Sequence, residues 1–507
     1  MRKAIWVGLI GLLWSGSLRA EVRLPRLFAD HMVVQQGRAI PVWGWADNGE
    51  KVSVTFRGRT VTVVAQGGGW MVQLGKAPAG GPYELVVAGK NTITLRNVLV
   101  GEVWICSGQS NMEWPLSRTY EAEAAMAAAN YPKLRLFRVE RMKANEPISD
   151  VQGAWKECAP AAVKDFSAVA YYFGRDLHKA LNVPVGLIET AWGGSPAEVW
   201  MSKDILEGNA DFRKSILDAY PAAYQRYREN LAKWEAESER LKKEGREQKS
   251  PRPGIPWKPT ELYNGMIAPL TPFAIQGAIW YQGESNAGRA FQYRTLFTEM
   301  IRNWRRDWRQ GDFPFLLVQL APWDKGKKRS MEEITSAPVE SDWAELREAQ
   351  FLSTRMLPRV GMAVITDVGD KDDIHPQKKE PVGGRLAVAA QAMVYGRKVE
   401  YSGPVFKSMQ VQGSKAVIRF DHVGRGLEAR GGKLSGFAVA GADNKFVWAE
   451  AEIQGAQVIV HSPQVAAPVS VRFGWADYPV VNLWNKDGLP AVPFRTDKLP
   501  MLTAPKP

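Results

Sequence analysis

VWICSGQSNMEWP, residues 103–115, is the stretch around which the rest of the chain is organised. Its first four residues are apolar and have the composition of a short buried strand, which breaks at Ser107-Gly108. The polar cluster Gln109-Ser110-Asn111 follows at once. Open α/β sheets place their functional sites at the carboxyl ends of strands, so Ser110 is predicted to be a nucleophile at the mouth of a central strand.

Length and charge limit the classes of protein that this chain can represent. With 507 residues, 45% of them hydrophobic, the chain predicts two or three domains with ordinary cores. The formal net charge is +13, but the basic residues are scattered and no nucleic-acid-binding motif accompanies them. We therefore expect no nucleic-acid partner, and the charge fits either a solvated basic surface or an anionic substrate.

The N-terminus predicts export of the protein. Arg2 and Lys3 precede an apolar run too short to span a bilayer, so residues 1–20 are predicted to be a signal peptide and the protein periplasmic or secreted. No later apolar run is long enough to predict a membrane span. In an oxidising compartment the two cysteines, Cys106 and Cys158, fit either a disulfide or two buried thiols.

The hydrophobic pattern divides the chain into three domains. Short strand-like runs with glycine-rich turns predict a small β-sandwich or jelly roll over residues 21–100 and a second β domain over 398–507. Between them, over 101–397, apolar runs alternate with helical stretches, which predicts an α/β domain whose parallel sheet is covered on both faces. Residues 202–258 are charged and helix-forming, and fit either a solvated insertion or a lid over the cleft.

A nucleophilic serine needs a base, and the chain has only five histidines. Four of them lie in a helical pattern or in the predicted β domains. His375 instead follows the strand-like run 361–365 in a polar loop, so we expect it at the same edge of the sheet as Ser110. Asp372, three residues before it, is predicted to orient the imidazole, with Asp373 and Asp370 as alternatives. These aspartates could instead form a calcium loop, although their spacing does not match an EF-hand.

An oxyanion hole needs preorganised donors, and three loops supply candidates. The first donor is the backbone N–H of Ser110, and the second is a glycine N–H in Trp192-Gly193-Gly194. The third is a side-chain amide, for which Gln282 and Asn286 compete. Each of these loops also fits an ordinary turn.

Four segments together resemble the sequence blocks of the SGNH/GDSL hydrolase superfamily, specifically its sialate O-acetylesterase branch. They are GQSNM at 108–112, WGG at 192–194, WYQGESN at 280–286 and DDIHP at 372–376. The resemblance implies a flavodoxin-like three-layer α/β/α fold between two small β-sandwich domains, with no metal and no organic cofactor. It implies Ser110 as nucleophile, His375 as base and Gly194 as an oxyanion donor. Many relatives keep the acid two residues before the histidine, which is Asp373 here.

The function predicted from the resemblance is a serine carbohydrate esterase that removes O-acetyl groups from sugars, most simply from sialic acid. Acetylated xylan, xyloglucan or another host glycan is the alternative substrate, and a secreted glycan-binding protein with an inactive centre is the non-enzymatic alternative. Candidate substrate contacts are Gln109, Trp192 and Glu284, and Trp200 and Trp280 fit either sugar stacking or the core. Binding a sialic acid carboxylate would require an arginine, for which the candidates are Arg118, Arg289 and Arg385.

Overall fold

The computed structural model describes residues 21–505, so the predicted signal peptide lies outside the described residues. The N-terminal part folds into two small β-sheets that share one core. The first is the antiparallel pair β2–β5, and in the second β4, β3, β6 and β7 are antiparallel while β1 joins β7 in parallel. The strands are β1 (Val33–Gln35), β2 (Ile40–Trp45), β3 (Lys51–Phe56), β4 (Arg59–Val64), β5 (Gly69–Leu74), β6 (Gly80–Ala88) and β7 (Thr92–Gly108).

Strand β7 continues from this N-terminal sheet into the centre of the next one. The central sheet has the order β13-β12-β11-β7-β10-β8-β9, and every neighbouring pair in it is parallel except β8–β9. Its other strands are β8 (Tyr131–Arg138), β9 (Trp155–Cys158), β10 (Val185–Ala191), β11 (Gly277–Tyr281), β12 (Phe315–Val318) and β13 (Val360–Ala363).

Helices cover both faces of the central sheet, because successive residues of its strands point to opposite sides. In β7, Trp104 and Cys106 enter one core and Val103 and Ile105 enter the other. Helices α4 and α11 pack on the first face, and α8 and α10 pack on the second. The helices are α1 (Ser110–Glu113), α2 (Ala122–Ala127), α3 (Pro160–Val163), α4 (Ala168–Leu181), α5 (Lys203–Gly208), α6 (Ala210–Phe212), α7 (Tyr220–Lys243), α8 (Ala290–Trp308), α9 (Met331–Thr335), α10 (Asp342–Met356) and α11 (Glu380–Met393).

The charged segment predicted as an insertion is largely solvated. Its long helix, α7, buries only Leu241, and ion pairs such as Arg240–Glu237 lie on its surface. The extended chain that follows returns to the central domain and places Trp257 edge-on to Trp192, with ring centroids 5.5 Å apart. The exposure of α7 thus favours the interpretation of the helix as a solvated insertion. The end of the segment nevertheless reaches the loop after β10.

The C-terminal part is a β-sandwich of two four-stranded antiparallel sheets, β14-β15-β20-β19 and β18-β17-β21-β23, around a separate core. Fully buried Arg347 of α10 attaches it to the central domain by donating to the carbonyls of Ala476 and Asp477. The strands are β14 (Val405–Gln412), β15 (Lys415–Asp421), β16 (Leu427–Ala429), β17 (Phe437–Ala440), β18 (Val447–Trp448), β19 (Glu450–Gln454), β20 (Gln457–His461), β21 (Ser470–Phe473), β22 (Leu483–Asn485) and β23 (Phe494–Arg495).

These layers confirm the predicted fold class, an α/β/α domain with a parallel sheet between two smaller β structures. The domain boundaries stay predictions, and β7 runs across the first of them at residues 100–101. Cys106 and Cys158 are separate buried thiols, which decides between the two alternatives left open by the sequence. Among residues 21–505, no helix combines the length and apolar composition that crossing a bilayer requires.

Gly108→Ala should destabilise the protein and abolish activity. Gly108 has a φ of +144°, and a Cβ at this position would lie 2.1 Å from the carbonyl oxygen of Tyr281. Strain at such a φ and overpacking each cost about 1–3 kcal/mol. Thermal unfolding and ester hydrolysis test this, with Gly208→Ala as the control because its added Cβ meets nothing within 4 Å. An unchanged Tm in Gly108→Ala would contradict the argument.

Candidate active site

Three neighbouring strands of the central sheet end at the same level. In the parallel register, Gly108 at the end of β7 lies opposite Ala191 of β10 on one side and Tyr281 of β11 on the other. The loops that follow, at 109–113, 192–195 and 282–286, therefore meet at one edge of the sheet. These are three of the four segments singled out in the sequence.

Ser110 and His375 meet at this edge. The Oγ of Ser110 lies 2.8 Å from the Nε2 of His375, across 265 positions of sequence. The imidazole stacks on the Trp114 ring at a centroid distance of 4.8 Å and an angle of 15°. The Arg118 guanidinium also lies over the Trp114 ring, 4.0 Å from its centroid. Stacking fixes the plane of the imidazole so that one ring nitrogen faces the serine.

The carboxylate beside the histidine belongs to Asp373, not to Asp372, which was the first choice from the sequence. Asp373 Oδ1 accepts the backbone N–H of His375 at 2.8 Å and lies 3.5 Å from its Nδ1. This geometry follows from the loop, because Asp370 Oδ1 accepts the N–H groups of both Asp372 and Asp373 and turns the chain. Asp372 instead pairs with Lys371 at the surface, at 2.5 Å. The structure does not bring Asp372 to the imidazole.

The pKa of His375 is held below its ordinary value. Burial is the largest cause, the Asp373 carboxylate opposes it, and the positive charges of Lys379 and Arg118 act in the same direction as burial. At neutral pH the imidazole is therefore mainly unprotonated, which is the form that a general base requires.

Two backbone N–H groups near Ser110 are available as oxyanion donors. Ser110 is the first residue of α1, where a helix leaves the N–H without an internal acceptor. In the loop after β10, the Gly193 N–H donates to Glu113 Oε2 at 2.9 Å. The Gly194 N–H has no acceptor among the described residues, and Gly194 adopts a φ of +75°. The predicted donors Ser110 and Gly194 are thus both free to bind an oxygen.

The predicted side-chain donors, Gln282 and Asn286, are buried and already bonded. Gln282 Nε2 donates to the Ser195 carbonyl and to Asn286 Oδ1, and its Oε1 accepts from Tyr293. Asn286 Nδ2 donates to Glu198 at 3.0 Å. The structure gives neither amide a contact with Ser110, because both cross-link the β11 loop to the segment after β10.

The three predicted substrate contacts lie close to the nucleophile, but two of them are used inside the protein. Gln109 Oε1 accepts the N–H of Ser285 at 3.3 Å, and Glu284 Oε1 accepts from Asn111 at 2.6 Å. Trp192 is half-buried, with Arg141 over its ring at 5.3 Å.

Most of the other aromatic and basic candidates are accounted for by contacts inside the protein. Trp200 and Trp280 are completely buried, so they are core residues and do not stack on sugar. Arg289 pairs with Glu198, and Arg385 pairs with Asp367. Of the three arginines proposed for a carboxylate, only Arg118 lies near His375.

Sequence reasoning missed a buried polar cluster behind Ser110 and His375. The Asn111 amide donates to Glu284 and to the carbonyl of Ile374, and its oxygen accepts from Lys379. Burial lowers the pKa of Lys379 to about 7, against the opposing effect of Glu284. Asn111 therefore ties the serine turn to the histidine loop. Asn111 stood in the opening motif, but nothing in the sequence indicated its partners.

The sequence of the chain matches the model of a known protein family. The family model of carbohydrate esterases described as sialic acid-specific acetylesterase matches residues 100–241 and 253–390, more than half of the chain. The chain belongs to this acetylesterase family. The predicted branch is confirmed, and the match is interrupted only within the charged segment that contains α7.

Individual relatives of the acetylesterase agree with the family match. Human sialate O-acetylesterase is 27% identical over 95% of this chain and 94% of its own, and the mouse enzyme is 29% identical over 80% of each. A carbohydrate acetylesterase structure from Xanthomonas citri is 40% identical, covers 94% of this chain and all of its own, and gives a TM-score of 0.81. The chain is thus a carboxylic ester hydrolase.

Asp373→Asn should reduce kcat/KM of the acetylesterase, whereas Asp372→Asn should change it by less than about threefold. Loss of the acid from a buried triad costs about 10⁴-fold, and the effect here should be smaller, about 10²-fold, because the Asp373 side chain is 51% exposed. Hydrolysis of 4-nitrophenyl acetate measures both variants. The reverse order of effects would show that Asp372 orients the imidazole.

Lys379→Gln should move the acid limb of the pH–rate profile to higher pH. Lys379 is charged below about pH 7, and its charge lowers the pKa of His375. Since kcat/KM follows unprotonated His375, removal of the charge raises this pKa and the pH needed for activity. Asp373→Asn should move the limb to lower pH, because the Asp373 carboxylate raises the pKa of His375 in the wild type and its removal lowers that pKa. Lys378→Gln is the control, since Lys378 lies at Tyr120, and an unmoved limb in Lys379→Gln would contradict the sign.

Proposed function

We propose that the acetylesterase removes O-acetyl groups from sugars by two-step acyl transfer, with Ser110 as nucleophile, His375 as base and Asp373 as the orienting acid. The observation that carries the proposal is the 2.8 Å contact between Ser110 Oγ and His375 Nε2. The reaction requires a base within hydrogen-bond reach of the hydroxyl and free donors beside it, and both are found at this edge of the sheet.

In the first step His375 Nε2 takes the proton of Ser110 as Oγ attacks the acetyl carbonyl carbon. The carbonyl oxygen becomes an oxyanion, which the N–H groups of Ser110 and Gly194 stabilise by about 3 kcal/mol each. Asp373 stabilises the imidazolium and holds its Nδ1–H. The tetrahedral intermediate then collapses, the bond between the acetyl carbon and the sugar oxygen breaks, and protonated His375 gives its proton to that oxygen.

In the second step water replaces the sugar and releases acetate. His375 takes a proton from the water, which attacks the acetyl carbon of the acyl-enzyme at the same oxyanion site. Collapse of the second intermediate breaks the bond to Ser110 Oγ, and His375 returns the proton to the serine. The enzyme ends the cycle unchanged, with one ester bond hydrolysed.

The proposed substrate is O-acetylated sialic acid, and its support comes from the curated relatives, which are named sialate O-acetylesterases. Acetylated xylan is the comparison substrate, because the Xanthomonas citri relative is described only as a carbohydrate acetylesterase. Acetate release from the two substrates, measured side by side, decides between them. Faster release from xylan would overturn the sialate assignment while leaving the esterase mechanism in place.

We also propose that the enzyme acts outside the cytoplasm. Support comes from Arg2, Lys3 and the apolar run after them, which have the form of a signal peptide. Amino-terminal sequencing of the protein recovered from the periplasm or medium should begin after Ser17 or Ala20. A mature protein that retains Met1 would contradict export by this route.

Ser110→Ala should lower kcat by a factor on the order of 10⁶ while the protein remains folded, because the nucleophile is lost and the core is unchanged. A fluorophosphonate probe should modify Ser110 in the wild type, and mass spectrometry of the labelled peptide identifies the site. Ser285→Ala is the matched control, since this exposed serine bonds to the Gly194 carbonyl and lies in the loop after β11. Near-normal acetate release by Ser110→Ala would contradict the mechanism.

A further inference from the structure

A cationic groove opens beside the nucleophile and has no part in the mechanism above. Its volume is about 770 Å³, and its lining includes four cationic side chains and only two carboxylates, Glu113 and Glu140. We use the name cationic groove for this space, whose cations are Arg26, Arg138, Arg141 and Lys156. A concave surface lined mainly by one sign of charge concentrates ligands of the opposite sign.

The cationic groove adjoins the loops of the candidate active site. Ala191 lines it and is followed directly by Trp192-Gly193, the start of the loop that carries the oxyanion donor. Glu113, at its inner end, accepts the Gly193 N–H at 2.9 Å. Gly193 lies against the nucleophile, because a Cβ built on it would be 3.2 Å from the Cβ of Ser110. A sugar whose ester lies at Ser110 can therefore extend into the groove.

The inner cations are held in place by carboxylates of the protein. Arg141 Nε donates to Glu113 Oε1 at 2.8 Å, and Arg138 lies 3.8 Å from Glu113 and 3.6 Å from Glu189. Arg138 also donates to the Asp165 carbonyl at 2.8 Å, and both arginine side chains line the groove and are about half exposed. Burial raises the pKa of Glu189 to about 7, so this carboxyl only partly neutralises Arg138 at neutral pH.

Among residues 21–505 the outer cations form no close ion pair, but Asp150 lies near Arg26 and accepts its backbone N–H at 3.0 Å. Within residues 21–505, no Asp or Glu oxygen lies within salt-bridge distance of the side-chain nitrogens of Arg26 or Lys156, and both residues are exposed. The groove thus has fixed arginines at its inner end and two exposed cations at its rim, with the Asp150 carboxylate near Arg26. Charged hydrogen bonds from guanidinium to carboxylate are stronger than neutral ones, and a fixed arginine provides them with defined geometry.

We propose that the cationic groove binds the carboxylate of an acidic sugar whose O-acetyl ester lies at Ser110. The proposal rests on the proposed function and names the property by which that site selects its substrate. Sialic acids and hexuronic acids both carry the required carboxylate, whereas xylose and the other neutral sugars of xylan do not. Of the arginines considered in the sequence, Arg289 and Arg385 pair with carboxylates elsewhere, and Arg118 lies over the Trp114 ring beside His375. The groove cations Arg138, Arg141 and Lys156 come instead from the β8–β9 region, which the sequence pattern did not reveal as strands.

The test compares acidic and neutral substrates in a variant that leaves the catalytic groups untouched. Arg26→Gln/Lys156→Gln should raise KM at least fivefold for O-acetylated N-acetylneuraminic acid or an O-acetylated glucuronoside, with kcat unchanged. KM for the methyl ester of the same sugar and for an acetylated xyloside should stay within about twofold of the wild type. Lys415→Gln/Lys445→Gln removes the same charge from exposed positions of the C-terminal sandwich and is the matched control.

Ionic strength provides a second measurement on the unaltered enzyme. KM for the acidic sugar should rise between low and high salt, while KM for its methyl ester should not, because screening weakens only the charged contact. Equal KM values for the acid and its methyl ester, or equal effects of the two double variants, would overturn the groove assignment. If the wild type releases acetate from none of these sugars, the proposed function itself is wrong. Of the two acidic substrates, the one with the variant-sensitive KM identifies the source of the carboxylate.

Discussion

The level ending of three parallel strands is the constraint on which the site depends. Gly108 pairs with Ala191 on one side and Tyr281 on the other, and its lack of a side chain permits the close approach to Tyr281. Because the strands are hydrogen-bonded in this register, the starting points of the loops after them are fixed relative to one another. One edge of the sheet therefore holds Ser110, the glycine loop after β10 and the buried amides after β11.

Buried polar side chains extend this order from the strands to the catalytic groups. Asn111 connects the serine turn to the carbonyl of Ile374 beside the histidine, and Glu113 connects the same turn to Gly193. Two residues of one short helix thus bond to the histidine loop and to the glycine loop after β10. Burial of such groups is costly unless they are paired, so each of these bonds also opposes movement of the loops that it joins.

The charges around the nucleophile serve two different purposes. Burial lowers the pKa of His375, and the positive charges of nearby Lys379 and Arg118 lower this pKa further, so the imidazole is mainly unprotonated at neutral pH. The inner cations of the groove pair with Glu113 and remain about half exposed, so they are available to a ligand. In this arrangement buried Lys379 and exposed Arg118 both act on the imidazole, while the exposed charges of the groove are available to a ligand. Trp257, from the end of the solvated segment, completes the wall beside Trp192.

The sequence by itself determined the fold class and the acetylesterase branch, and it predicted Ser110 as nucleophile and His375 as base. Apolar runs of strand length are local signals, and Ser110 and His375 each follow such a run directly. Only the tertiary structure decided that Asp373 and not Asp372 faces the imidazole, that Gln282 and Asn286 bond to buried partners, and that Cys106 and Cys158 are separate thiols. It also brought the groove arginines to the site from β8 and the loop after it. Side-chain direction and pairing depend on residues distant in the chain, and a sequence pattern carries no information about these contacts.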